Sequence, residues 1–508
     1  YDPYRVCSEN FAIHVSAAAL AVLSPMTERA QAFASSVDLS YCLGGAGCRI
    51  QYGSATRIKA SAADCEERRA ALGIAPDSKS NDFRAPFGSE FFFITLEILR
   101  LGVMRSFQQY AELTNGFGEA ESMLASIDRS DPQQSWQVQR LEEQKSMVLA
   151  HVLALQTPLH DRDLLRGLAS FYDFTAAVLL LPHNQAHFRY LPEHIVGDMI
   201  EFYAVAASPT LVIEASPPGA MVADNALSFA LKFMAGDERF PNPHVRGKFA
   251  QFLMTFLPDR SELRLRDVDI VPPRHIFLSH PMALQKMVPA LFELYVEIEF
   301  GERQFYSKFQ TRHCIASIFK FLWQIPHYRE RLLIASRDTP SFLKFTNVLC
   351  NDIIYLLEES LRLLSLIRED QTEMANPAAW QALQADERQR RERSFALNEH
   401  NAKILMLLAN STIHMLFYFS DEENGGTVAP FVVPEVVDRM ATMVDFFINR
   451  LAGPQVKEVK VQDPRKYHFE PGVLLTEIVG IFLHLSSSDA FLERVAHDQR
   501  SYDPQIFA

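Results

Sequence analysis

A pair of histidines is the first feature of this 508-residue sequence whose residue types and spacing suggest chemistry. His183 and His187 stand four apart, and two imidazoles on one face of a helix at that spacing can hold a metal ion. The stretch lacks the glutamate of the zinc-protease motif and lies between two prolines. Two ordinary histidines in a loop are therefore the favoured interpretation.

Three cysteines, Cys42, Cys48 and Cys65, lie in or near a glycine-rich stretch that we expect to be irregular. Their spacing matches no zinc pattern, and no histidine pair follows them. Six cysteines in so long a chain form no disulfide framework, and reduced structural thiols are typical of an intracellular protein. We predict no metal and no cofactor.

Basic residues form the third candidate. Arg303, Lys308, Arg312 and Lys320 punctuate an otherwise apolar segment that is predicted to be a helix. Clustered cations on one ridge would attract an acidic segment of a partner protein. The alternative, solvated surface charges that contribute little to stability, is favoured. The four residues are kept as candidate partner-binding residues.

No catalytic motif is recognisable in the sequence. A Gly-rich phosphate loop, a G-x-S-x-G elbow and a cysteine–histidine arrangement are all missing, so no catalytic residue is predicted. The net charge of −13 argues against a nucleic-acid binder, which gains its affinity from neutralising phosphates. With 48% hydrophobic and 22% charged residues, the composition is that of a soluble globular protein.

The segment from 342 to 367 is the helix around which the rest of the chain is expected to pack. Apolar residues fall on nearly every side of it, which predicts a helix buried all round. Asn347, Asn351 and Asp352 would then need partners, either in a binding site or, as favoured, as satisfied core groups that join two helices. Charged residues interrupt the segment, so no membrane insertion is predicted.

Helical periodicity recurs along the chain, and strand-like alternation is nearly absent, so we predict an all-α fold. Short loops between helices are typical of stacked antiparallel helix pairs. Ser89 is predicted as an N-cap, two helices are predicted between 380 and 420, and 456–472 is predicted to be extended. The main helices are predicted at 10–23, 89–109, 131–157, 161–181, 192–206, 281–300, 302–323, 434–451 and 473–485.

Eight stretches of the sequence form a recognisable series. They are FYDFTAAVLLL from Phe171, LPEHIVGDMIEF from Leu191, NPHVRGKFAQFL from Asn242, FYSKFQTRHCIASIFKFLW from Phe305, FLKFTNVLCNDIIYLLEESL from Phe342, PEVVDRMATMVDFFINRLAGP from Pro434, KYHFEPGVLL from Lys466 and FLERVAHDQRSY from Phe491. Together they resemble the core region of the U-box ubiquitin-chain elongation factors. The resemblance runs from Ser89 to the end of the chain and is weak before it, so we predict an N-terminal helical or irregular region, 1–88, and an elongation-factor core, 89–508.

The resemblance implies an elongated, armadillo-like α-solenoid that serves as a scaffold for a ligase. A U-box is expected after Ala508, where it would recruit a ubiquitin-conjugating enzyme. The implied partners are ubiquitylated substrates, a Cdc48-type AAA+ segregase and proteasome shuttle proteins, in proteasomal degradation that includes degradation from the endoplasmic reticulum, in cytoplasm and nucleus. The alternative is a helical-repeat adaptor with no role in ubiquitin transfer. Because the sequence begins YDPYRVCSEN, we expect a fragment of a longer protein.

Overall fold

The computed structural model describes residues 8–44, 48–74, 86–126, 135–206, 223–236, 240–257, 273–298, 305–376, 380 and 382–498. Within those ranges the regular elements are helices, and the only β pairing is an isolated bridge between Arg57 and Pro192. The all-α prediction is confirmed. The chain divides into two compact units, Tyr1–Lys286 and Met287–Ala508. The armadillo-like arrangement stays a prediction.

Among the described residues, the first unit contains twelve α-helices and the start of a thirteenth. They are α1 Glu9–Thr27, α2 Ala30–Phe33, α3 Ala62–Ala71, α4 Phe87–Leu99, α5 Arg105–Ser126, α6 Ser135–Leu159, α7 Arg162–Leu180, α8 Gln185–Phe188, α9 Glu193–Glu201, α10 Asp224–Phe233, α11 Pro243–Met254, α12 Pro273–Ser279 and α13 Pro281–Glu297. Two π-helical turns, Arg100–Met104 and Phe202–Ala206, follow α4 and α9. Buried phenylalanines dominate the core between α4 and α7, for example Phe92 against Phe171 and Phe174.

Seven further α-helices are described in the second unit. They are α14 Phe305–Trp323, α15 Pro326–Ser336, α16 Thr339–Met374, α17 Ala385–Ser420, α18 Val437–Ala452, α19 Pro471–Leu485 and α20 Asp489–His497. The two longest, α16 and α17, have 36 residues each and pack against one another. Phe292, Phe345 and Phe419 meet in the core beside them.

Helix α16 is the helix predicted from residues 342–367, and most of its surface is buried, with Leu349, Leu357 and Leu364 fully so. The prediction of burial all round is wrong for one strip. Along this strip the side chains are exposed at helical spacing, although Asn351 accepts a hydrogen bond from Arg439 on α18 and the Tyr355 ring stacks on Phe309 of α14. The strip consists of Lys344, Asn351, Tyr355, Glu358 and Arg362.

Several helix boundaries predicted from the sequence are wrong. Pro86, not Ser89, stands at the N-cap of α4, and Ser89 is buried, where its hydroxyl accepts a hydrogen bond from the Asp38 N–H at 2.8 Å. The charged run 386–393 and the apolar residues that follow it, predicted as two helices between 380 and 420, lie in one long helix, α17. The stretch predicted to be extended, 456–472, holds 3₁₀ turns because its prolines fix φ near the helical value.

Contacts cross the predicted boundary between residues 88 and 89. Besides the Asp38–Ser89 hydrogen bond, the Tyr41 hydroxyl donates to Glu90 at 2.9 Å, and the Tyr41 ring stacks on Phe93 at 4.7 Å. Both sides of that boundary lie in the first compact unit. The proposed division into 1–88 and 89–508 stays a prediction about family resemblance.

Length and composition alone would let two described helices cross a membrane, Glu9–Thr27 and the segment Asp386–Ser420 of α17. A bent pair, Arg162–Leu180 with Pro182–Phe188, would count as a third if it formed one span. Most of the apolar part of α17 is buried inside the protein, where it packs on α14, α16 and α19. The absence of membrane insertion stays a prediction.

Candidate functional site

A polar cleft of about 820 Å³ opens in the first unit. Four separate segments line it: the loop 49–56, the end of α4 with the π turn after it, the first half of α9, and the start of α11. Helices α9 and α11 both begin at the cleft, each directly after the residue that occupies its N-cap position. Pro192 stands at the N-cap of α9, and the Asn242 side chain accepts a hydrogen bond from the His244 N–H at 2.9 Å.

The π turn Arg100–Met104 directs side chains into the cleft. It is held by α1, since the Val103 N–H donates to Ser16 Oγ at 3.4 Å, and a Cβ on Gly102 would come within 2.6 Å of that same oxygen. Only glycine permits this approach. The wider turn leaves Arg100 and Leu101 exposed on the rim, and such π turns occur frequently at functional sites.

Two acids at or beside the cleft have partners within the protein. His194 Nε2 lies 3.0 Å from Glu97, and Lys248 Nζ donates to Glu201 at 2.7 Å. Burial alone would raise the pKa of Glu97, but its hydrogen bond and charge interaction with His194 hold that pKa below the usual value. The Glu97 and Glu201 carboxylates are therefore held by contacts inside the first unit.

Asp198 on α9 differs from these carboxylates. In the described part of the chain its carboxylate takes part in no hydrogen bond, and the nearest cationic atom is Arg100 Nε at 4.0 Å. Burial raises the pKa of Asp198 to about 6, although His194, Arg100 and Lys248 oppose the rise. Nearby, the buried Tyr52 hydroxyl lies beside the Glu97 carboxylate, and burial together with that carboxylate raises the pKa of Tyr52. Among the described residues, Asp198 is thus the acid at the cleft that receives no hydrogen bond from the protein.

Sequence reasoning missed the cleft, because its residues come from four segments and share no motif. One part of the cleft was predicted from the sequence, namely the start of helix α9 after Pro192. The side-chain pairings across 49–56, α4, α9 and α11 follow only from the tertiary fold.

The histidines and cysteines considered as metal ligands all lie in the first unit. Among the described residues, no three His, Cys, Asp or Glu side chains gather where they could hold a metal ion. His183 and His187 lie in short helical turns rather than a loop, and His187 Nε2 lies 3.3 Å from Arg68 Nη2. Cys42, Cys48 and Cys65 are buried.

The thiols are not poised for nucleophilic chemistry. Burial raises the pKa of Cys42, Cys314 and Cys350 to about 12, and burial with Glu90 raises that of Cys48 to about 11. A thiolate is the nucleophilic form, and these thiols stay protonated at neutral pH. None of these four cysteines is suited to carry a thioester.

The four predicted basic residues do not share one exposed ridge. Arg303 lies outside the described residues, Lys308 is half-buried beside the Phe309 ring, and Lys320 is exposed. Arg312 is only 2% exposed, so its place on a solvated ridge is a wrong prediction. Helical spacing explains why, since Phe309, Ile315 and Phe319 lie on the same buried face. A partner site at Lys308 and Lys320 stays a prediction.

Arg312 belongs to a buried polar network with α16. Its Nη1 donates to Asp352 at 2.8 Å, its Nε donates to the Tyr295 carbonyl at 3.1 Å, and the Tyr295 hydroxyl donates to Asp352 at 3.0 Å. Asp352 is therefore a satisfied core group that joins helices, as favoured from the sequence.

Asn347 and Asn351 also join two helices, because Arg439 on α18 donates to both side-chain oxygens, at 2.9 and 3.2 Å. They lie at the edge of the core rather than inside it, since Asn351 and Arg439 are exposed. The interpretation of these polar residues as links between helices is confirmed.

A different buried carboxyl lies in the second unit. Asp445 on α18 is fully buried, and among the described residues neither of its carboxylate oxygens has a hydrogen-bond partner. Burial and the nearby Asp498 raise the pKa of Asp445 to about 7. This group could not be recognised from the sequence, because an aspartate on an amphipathic helix is expected on the solvent-exposed face.

Comparison with known proteins decides the family. A family model described as the ubiquitin elongating factor core matches residues 1–508. The chain belongs to this family. The match includes residues 1–88, where the sequence resemblance was weak.

Curated relatives of this ubiquitin elongating factor core carry consistent names. The chain is 32% identical over 444 residues to the probable ubiquitin conjugation factor E4 of Arabidopsis thaliana, which covers 83% of the chain and 41% of the relative. It is 28% identical over 469 residues to ubiquitin conjugation factor E4 of Schizosaccharomyces pombe, with 85% and 44% covered. The E4 ubiquitin-protein ligase UFD2 of Saccharomyces cerevisiae is 29% identical over 341 residues, with 65% and 34% covered. The chain spans less than half the length of these relatives.

Proposed function

We propose that this chain is the helical scaffold core of an E4-type ubiquitin ligase, which lengthens ubiquitin chains on proteins that are already ubiquitylated. The observation that carries the proposal is the match of the elongating-factor family model to the whole sequence. The names of the relatives, ubiquitin conjugation factor E4 and E4 ubiquitin-protein ligase, support the same role.

The chemistry of the described residues fits a scaffold that positions other proteins. The described cysteines are buried, and burial keeps four of them protonated at neutral pH, so these four could not accept ubiquitin as a thioester. A ligase of the U-box type needs no such nucleophile, because the conjugating enzyme supplies the thioester and the ligase contributes orientation. Orientation alone can lower a barrier by several kcal/mol.

The proposed partners follow from this role. A ubiquitin-conjugating enzyme would bind a U-box that continues the chain after Ala508, and the ubiquitylated substrate would be the acceptor. A Cdc48-type AAA+ segregase and proteasome shuttle proteins complete the proposal, with action in cytoplasm and nucleus during proteasomal degradation. An armadillo-like stack of helix pairs would hold these partners at fixed distances.

A reconstituted elongation reaction tests the proposal. Residues 1–508, mixed with activating enzyme, conjugating enzyme, ubiquitin and a ubiquitylated acceptor, should add no ubiquitin. The same chain extended by a U-box should lengthen chains on that acceptor. A Gly/Ser linker placed before the U-box should reduce the rate, because such a linker is a random coil and removes the fixed orientation.

Two results would contradict the scaffold role. Chain growth by residues 1–508 alone would show that they contain a ligase activity of their own. No growth by the extended protein would favour the alternative, a helical adaptor with no role in ubiquitin transfer. An acceptor without ubiquitin serves as the control, and it should be extended much less than the ubiquitylated one.

A further inference from the structure

The polar cleft of the first unit has a carboxylate that its surroundings do not satisfy. Titratable groups from several neighbouring helices and turns surround Asp198: His194 and Glu201 on its own helix, Arg100 on the π turn, and Lys248 on α11. Tyr172 on α7 adds a buried hydroxyl. Each of the other acids has a donor from within the protein.

The acids near Asp198 have partners within the protein, whereas Asp198 lacks a close one. Glu97 is paired with His194 at 3.0 Å, Glu201 receives Gln108 Nε2 and Lys248 Nζ at 2.7 Å each, and Glu193 accepts from the Asn242 side chain. Asp198 has only the Arg100 guanidinium, whose Nε is 4.0 Å away, beyond hydrogen-bond distance. Arg100 is also 43% exposed, so solvent weakens this attraction.

We propose that the cleft binds a peptide segment of another protein, with a lysine or arginine side chain of that segment donating to Asp198. A charge-assisted hydrogen bond would supply what the carboxylate lacks, and such bonds are stronger than neutral ones. The cleft, at about 820 Å³, is far larger than an ion needs and falls in the range that holds organic ligands.

The walls of the cleft suit a polypeptide backbone. Gly197, one residue before Asp198, has no heavy atom within 4 Å of the position that a Cβ would take, so a bound chain can approach α9 closely there. In the described part of the chain, the N–H groups of Gln51 and Tyr52, two residues that line the cleft, donate to no acceptor. These two N–H groups can donate to the carbonyl groups of a bound main chain.

The proposal goes beyond the role in chain elongation and does not depend on it. A chain that failed to support ubiquitin transfer would still show this binding, and a chain active in elongation could lack it. The two results therefore separate the two proposals.

Selection from a phage library of random ten-residue peptides on the immobilised 508-residue chain tests the inference. Peptides that contain lysine or arginine should be enriched. In titrations by fluorescence anisotropy, replacing that cation by norleucine should weaken binding at least about tenfold, and Asp198→Asn should weaken it equally. Affinity should also fall as the pH drops from 7 to 5, because Asp198 becomes protonated over that range.

Two further variants complete the design. Gly197→Leu fills the cleft without meeting any neighbour and removes a helical glycine, so it should fold and yet lose peptide binding. Glu67→Gln changes an exposed acid of α3 away from the cleft and should bind like the wild type. Melting temperatures of all variants verify that each is folded.

Three results would overturn the inference. The first is that no peptide is enriched above an empty surface. The second is enrichment of acidic or purely apolar peptides, which would place the recognition on other groups. The third is wild-type affinity of the selected peptides for both Asp198→Asn and Gly197→Leu.

Discussion

Asp445 offers a test of how much one buried carboxyl costs this protein. It is fully buried on α18, it has no hydrogen-bond partner in the part of the chain that the structure describes, and its pKa in the folded protein is about 7 against a usual value of 3.8. Because the folded state holds the proton more tightly than the unfolded state, the protonated carboxyl stabilises the fold at low pH. This contribution is complete below about pH 4 and is lost as the pH rises to about 7.

The magnitude follows from the two pKa values. At about 1.4 kcal/mol per pKa unit, the full change in the free energy of unfolding is roughly 4 kcal/mol, of which about 2 to 3 kcal/mol falls between pH 5 and pH 8. The variant Asp445→Asn cannot ionise. Relative to the wild type, its stability should therefore rise by about 2 to 3 kcal/mol when the pH is raised from 5 to 8.

Chemical denaturation of both proteins at pH 5, 6, 7 and 8, followed by circular dichroism, measures the difference. Glu493→Gln on α20 is the matched control, since Glu493 is exposed, and its difference from the wild type should not vary with pH. A difference for Asp445→Asn that is independent of pH would refute the reasoning. It would show that Asp445 ionises freely in the folded protein.

Three further substitutions test other parts of the structure. Arg312→Ala should destabilise the protein by about 3 to 5 kcal/mol in denaturation, because Asp352 is left buried without its Arg312 partner. The double variant Arg312→Met with Asp352→Leu should recover most of that loss. Equal losses for the single and the double variant would contradict this account. Leu357→Ala should cost about 2 to 5 kcal/mol in the same assay, while Glu358→Ala on the exposed strip should cost almost nothing; an unchanged midpoint for Leu357→Ala would mean that α16 is not a core helix. Gly197→Ala should raise stability by up to about 1 kcal/mol, because the new methyl group meets no neighbour in α9; a loss of stability would show that the cleft wall is tighter than described.

The helices were predictable because their apolar periodicity is strong, as in α7 and α18. Their ends were less predictable, since capping depends on the backbone that precedes the helix. Ser89 has the residue type of an N-cap, yet tertiary packing buries it, and the helix begins after Pro86. The charged start of α17 was separated from its apolar remainder, although the backbone of the two parts is one helix.

Some polar contacts could be predicted from the sequence, and others could not. Arg312 could have been placed correctly, because it shares a helical face with Phe309, Ile315 and Phe319, all of which are buried. Asp198 could not, because its unsatisfied state depends on where Arg100 and Lys248 arrive from other segments. Periodicity along one helix predicts burial, but it says nothing about which charges from distant segments become neighbours.

The π turn between α4 and α5 also constrains how this part of the chain can change in length. A π turn holds one residue more than an α-helical turn, so it shifts the angular phase of every residue after it by about 100°. Phe107, just beyond the turn, is buried in this shifted phase and packs near Phe202. Deleting one residue from 100–104 would restore a regular α-helix and rotate Phe107 out of the core. The extra residue therefore sets the angular phase of α5 relative to α4. An insertion that compensates for such a deletion would be tolerated only within the same turn.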